Sequence, residues 1–168
     1  MFTVRAKYVQ AGVRFHGTVS KPFQVIYTAF VDFMGVTGDV HLHARKSMGR
    51  YIGYVNSADL DRGIANVYFV DGYLPVALSS IGHELTHVIQ YKTGDLGFDG
   101  DTILWKRRPA ISGTDYAKLN QAEHAQLPWE REAVANGKVQ AKAFLAGIES
   151  LRGRDAQLDV LIDSGLLA

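Results

Sequence analysis

"SSIGHELTHVIQY", residues 79–91, carries two histidines and a glutamate in the order H-E-x-x-H: His83, Glu84 and His87. Residues four apart on an α-helix lie on the same face, one turn above the other. Whether the stretch is helical therefore decides whether the two imidazoles converge. Its surroundings favour a helix: Val76, Leu78, Ile81, Leu85, Val88 and Ile89 make an apolar stripe over residues 75–91. The following "KTGDLGFDGD" is rich in glycine and aspartate and reads as a loop.

Working upstream, "IANVYFVD", "GRYIGYVN" and "DVHLHAR" read as strands, with "SADLDRG" as a turn between the last two in chain order. Connections this short predict a small, mainly antiparallel sheet over residues 39–71. "SKPFQVIYTAFVDFMG" has Pro22 in a first turn and apolar residues at helical spacing, which predicts a helix over 21–34. Before it, two short β-forming runs flank Gly12, as a hairpin or an irregular lead-in strand.

Downstream, "TILWKRR" suggests a short strand, "RPAISGTD" a loop and "YAKLNQAEHAQL" a partly helical segment. Pro128 starts a long helix, "PWEREAVANGKVQAKAFLAGIESLRG". Gly137 inside it costs about 1 kcal/mol without forcing an end. "DAQLDVLIDSGLLA" suggests a last short helix and tail. No repeat or linker divides the chain, so an α+β fold in one domain over residues 1–168 is expected.

Composition narrows the function classes. The 168 residues are 47% hydrophobic and 21% charged, as in an ordinary folded chain. With no cysteine, disulfide frameworks and thiolate metal sites are excluded, so a metal would need histidine, carboxylate or water. Lys and Arg number 18 against 17 Asp and Glu, a net charge of +1, too balanced for a nucleic-acid partner held by bulk charge. The basic run "WKRRP", residues 105–109, reads as solvated surface. No apolar run is long enough to cross a membrane, and "MFTVRAKY" lacks a signal-peptide pattern. A cytoplasmic protein, or one released without a cleaved leader, is expected.

On a helix, His83 and His87 can direct ring nitrogens at one Zn²⁺, with Glu84 beside a water on the ion. A catalytic zinc takes a third protein ligand and leaves one position open. The continuation that supplies a third histidine on the same segment is missing, since Gln90 and Thr93 occupy its positions. "LPWEREAVA" offers Glu130 and Glu132; two apart on one helix, they point in different directions and only one can be the ligand. His41 and His43 alternate on a strand, and with no third ligand at matching spacing they read as polar strand residues.

"HELTH" together with "PWEREA" resembles the gluzincin-type zinc metallopeptidases, especially the minimal zincin-like domains of small bacterial and phage proteins. The resemblance covers residues 64 to about 144. It implies a small sheet packed on an H-E-x-x-H helix and a second ligand-bearing helix. It implies zinc held by His83, His87 and Glu130, with Glu84 as general base. Ala133 would be the small residue that lets the two helices approach. Val134 stands where many such proteins have an aspartate that supports a histidine ligand. The strand "NVYFV" (Asn66, Val67, Tyr68, Phe69 and Val70) would form an open cleft edge that pairs with an extended peptide.

The implied activity is zinc-dependent hydrolysis of a peptide or protein substrate. Zinc would acidify a water and polarise the scissile carbonyl, and Glu84 would move the water's proton to the leaving amine. Tyr116 and His124, between the two ligand-bearing segments, are candidate stabilisers of the transition-state oxyanion. The alternative is a non-catalytic zincin-like structural or interaction module of a phage particle or bacterial complex, suggested by the small size and by Val134.

Overall fold

A computed structural model describes residues 12–46, 53–56, 60, 62–153 and 159. Its elements in chain order are β1 (Val13–His16), α1 (Lys21–Phe33), β2 (Asp39–Arg45), β3 (Gly53–Asn56), β4 (Ile64–Val70) and α2 (Leu74–Thr93). Then come β5 (Leu96–Asp99), β6 (Thr102–Trp105), β7 (Arg108–Ser112), α3 (Gly113–Tyr116), α4 (Gln121–His124) and α5 (Pro128–Glu149). The expected closing helix, Asp159 apart, and residues 1–11 of the lead-in lie outside the described residues.

The first sheet has the order β1-β2-β4-β3. β1 pairs with β2 and β2 with β4 in parallel, and only β3 runs antiparallel, against β4. The expectation of a mainly antiparallel sheet is thus corrected to a mixed one. α1 is the crossover that makes β1 and β2 parallel. After β2 the chain takes the outer place with β3 and returns into the gap as β4. Stepping over one strand place is only about 10 Å, so a short connection did not require adjacent pairing.

Alternation along the strands sorts the two faces. Val40 and Leu42 of β2 and Ala65, Val67 and Phe69 of β4 are buried. Against them pack Tyr27, Phe30 and Val31 of α1 and Leu78, Ile81, Leu85 and Val88 of α2, none more than 1% exposed. Completely burying such side chains contributes about 1.5–3 kcal/mol each. Tyr27 buries its ring edge-on to Phe69 and satisfies its hydroxyl by donating to Asp71 Oδ1 at 2.7 Å. α2 is held on two sides, by the sheet core and by α5, and so rigidly presents the histidine motif.

Two expected loops are strands. "LGFD" and "RPAIS" flank β6 in an antiparallel meander. Glycine, proline and aspartate suggested loop, but pairing on both sides of β6 outweighs their low strand propensity, and Pro109 sits on an edge strand where no ladder donor is needed. Lys106 and Arg107 both have positive φ, 51° and 64°, the backbone of a two-residue hairpin turn. The basic run is therefore a hairpin tip, with Lys106 over the Trp105 ring and 3.9 Å from Glu132. Among the described residues no helix is long and apolar enough to cross a membrane.

Candidate metal centre

Three segments bring the site together. α2 carries His83, Glu84 and His87; the first turn of α5 carries Glu130; the short α3 and α4 carry Tyr116 and His124. Ser112 caps α3 and Asn120 forms a reciprocal capping box with Glu123 on α4, which ties down segments too short to persist alone.

α2 and α5 meet at glycine. A Cβ on Gly137 would stand 2.6 Å from the His83 nitrogen and 2.7 Å from the Ser79 oxygen, and one on Gly82 would meet Gly137 Cα at 3.1 Å. Only two glycines allow backbones this close. Ala133 is fully buried one turn earlier, but the tightest approach is Gly82 against Gly137. Polar links fasten the same interface: Asn136 donates to Thr86 Oγ1 (3.0 Å), and Thr86 donates to the Gly82 carbonyl (2.7 Å).

The consequence is convergence of ligand atoms. His83 Nε2 and His87 Nε2 are 3.1 Å apart. Glu130 places Oε2 at 3.3 Å from the first and Oε1 at 3.4 Å from the second. Around a tetrahedral zinc with bonds of 2.0–2.1 Å, neighbouring ligand atoms are about 3.3 Å apart. His87 Nδ1 lies 2.9 Å from Gln90 Oε1, an oxygen that can only accept. In the neutral ring the proton is therefore on Nδ1, which leaves Nε2, facing His83 and Glu130, to take a second proton or an ion. Two converging imidazole nitrogens and a carboxylate call for a cation between them, and the donor set fits zinc.

Electrostatics say the same. Burial alone would push the Glu130 carboxyl up. Hydrogen bonds with His83 and His87 and the charge of His87 and His124 override it and hold the group at about 2. Burial pushes His87 down, but hydrogen bonding to Glu130 and the charges of Glu130 and Glu84 carry it above the ordinary imidazole range. The Glu130 carboxylate stays ionised and favours a positive charge on the nitrogens beside it, whether a proton or an ion.

Glu84 is 4% exposed, and its Oε1 is 3.8 Å from His83 Nε2. His124 Nε2 is 3.6 Å from Glu130 Oε1 and 2.6 Å from the Tyr116 hydroxyl. These groups line one open cleft of about 890 Å³, which the β5–β6 hairpin borders through Phe98 and Ile103. Glu132, the other candidate ligand, is exposed on the opposite side of its helix and pairs with Lys106.

The expected substrate edge at residues 66–70 is corrected. β4 is an interior strand, paired with β2 throughout and with β3 over residues 66–69, so its backbone groups are already engaged. Tyr68 lies on the sheet face opposite the core.

Gln90 is a functional residue that the motif alone does not reveal. It stands in the place of the missing third-histidine continuation, yet it is 2% exposed, orients His87 and donates to the Trp129 carbonyl at 3.1 Å. It therefore joins the histidine helix to the start of the glutamate helix, and its spacing of three from His87 was the available signal. In comparisons with known proteins, no family model, no curated protein and no solved structure matches this chain.

Proposed function

We propose that the chain is a single zincin-like domain acting as a zinc-dependent hydrolase of peptide bonds. The observation that carries this reading is the 3.1–3.4 Å triangle of His83, His87 and Glu130 with Glu84 beside it in an open cleft. His83 and His87 would bind through Nε2 and Glu130 through its carboxylate. When bound, zinc supplies a Lewis acid that acidifies water and polarises a carbonyl.

The protein's own groups account for the remaining steps. Glu84 takes the proton of the attacking water on a carboxylate oxygen and hands it to the leaving nitrogen. The Tyr116 hydroxyl, paired with His124, donates to the developing oxyanion. Gln90 holds the His87 ring in its working tautomer. Phe98 and Ile103 on the facing hairpin give the cleft an apolar wall for substrate side chains.

The test pairs metal content with turnover. Protein purified without chelator should carry one zinc in this cluster, and cleavage of unfolded protein or a peptide library should stop with chelator and return with zinc. Glu84→Gln should keep that zinc and lose about 10²–10⁴-fold in rate. A folded chain that takes up no zinc here overturns the site. Zinc binding without cleavage across a broad library would favour the non-catalytic module.

A further inference from the structure

Read in sequence, His41 and His43 lacked a third partner. The parallel pairing of β1 and β2 supplies one: His16 is the register partner of His43, and all three histidines fall on the sheet face opposite Val40 and Leu42. One ring nitrogen from each lies within 4.8 Å of the other two. The His16 and His43 rings stack at 4.2 Å, and His41 is centred 5.1 Å from His16.

We propose that His16, His41 and His43 form a second metal site, for a late first-row divalent ion such as Zn²⁺ or Cu²⁺, separate from the cluster on α2. Two observations support it beyond proximity. Asn66 Oδ1 lies 2.8 Å from His43 Nε2, and an amide oxygen only accepts, so the ring proton sits on Nε2 and the Nδ1 lone pair is left for a metal. This is the relation Gln90 has with His87, a side-chain amide selecting the tautomer that ligates. Tyr68 stacks on the other face of His43 at 4.3 Å and fixes its ring plane.

The nitrogens already lie within 4.8 Å of one another, and turning His16 off its stack on His43 is the movement that brings them to the roughly 3.3 Å spacing around an ion. His16 is exposed and its terminal torsion is soft, while the paired strands hold the three Cβ atoms in place. Imidazole sets select copper, nickel or zinc over magnesium and calcium. Three neutral ligands leave the ion's charge uncompensated, and Arg14 and Arg45 share the same face. The site therefore binds more weakly than the carboxylate-bearing one and takes an anion, such as hydroxide, in its open position.

The test titrates the metal-free full chain with Zn²⁺, reading stoichiometry by equilibrium dialysis and the histidine ring signals by NMR. The expected result is two equivalents, the weaker one shifting His16, His41 and His43. His16→Gln, an exposed change that leaves the core intact, and His43→Gln should each weaken that equivalent more than 10-fold, and Asn66→Ala by about 10-fold. His83→Gln should spare it. A single equivalent lost in His16→Gln but kept in His83→Gln would support this site while removing the proposed catalytic one. If the ring signals of these three do not move, or the weaker equivalent survives both substitutions unchanged, the second site is wrong.

Discussion

The two histidine clusters are built by opposite rules. On α2, an i,i+4 spacing sets two imidazoles edge to face, one turn apart on the helix, and a distant helix adds a carboxylate. On the sheet, an i,i+2 spacing is completed by the register neighbour on β1, on a half-exposed face that also holds arginines. The protonation preferences diverge accordingly. His87 is raised, because Glu130 and Glu84 outweigh its burial. His43 is lowered, first by burial and then by His16, Arg45 and His41, against an opposing hydrogen bond to Asn66. The lesson is that clustered histidines do not define a site's character; the charge around them does.

The sharpest way to break this contrast is to remove the carboxylate. Glu130→Ala should cost zinc affinity at the helix cluster well beyond the roughly 10–100-fold typical of an outer-shell change, while leaving the sheet histidines' ring signals in place. Competition with a chromogenic chelator measures it. Equal loss at both clusters would mean that the variant had unfolded rather than lost a ligand.

Gln90→Leu comes next, with a loss of about 10–100-fold in zinc affinity. It removes the acceptor that sets the His87 tautomer and the donor that reaches the Trp129 carbonyl. An unchanged dissociation constant would show that packing alone orients the ring.

Gly137→Ala puts a methyl group against the His83 backbone and should destabilise the fold by about 1–3 kcal/mol in denaturant titration. It should also weaken zinc binding, by moving Glu130 away from the histidines. Full stability with unaltered zinc affinity would dismiss the glycine contact as the feature that sets the helix spacing.

A smaller effect concerns pH. Glu130, held at about 2, contributes stability that is present above its ordinary value of 4.5 and is lost as pH falls toward 2. His87, raised, contributes stability that is present below its ordinary 6.5 and is lost as pH rises through its folded value. The thermal-midpoint advantage of the chelated wild type over Glu130→Gln should therefore peak between about pH 4.5 and 6.5. A flat difference from pH 3 to 9 would refute the coupling. Least of all should come from Glu132→Ala, which removes an exposed pair with Lys106 worth less than about 1 kcal/mol and should leave zinc affinity unchanged.

What the amino-acid sequence determined alone is what local spacing encodes. The H-E-x-x-H letters on an apolar 3.6-residue stripe placed two imidazoles on one helix face, Pro22, Pro75 and Pro128 marked helix starts, and alternation in "DVHLHAR" put His41 and His43 opposite the core. These relations follow from backbone geometry within a few residues, so they survive any tertiary arrangement. Tertiary structure decided everything that depends on which segments meet. It placed β4 inside the sheet, closed Gly82 onto Gly137, turned Glu130 rather than Glu132 toward the histidines, and set Tyr116 against His124. It also brought His16 beside His43 across 27 residues of chain. Strand order and helix contact are chosen by burial of the whole core, a sum over distant residues that no single stretch carries.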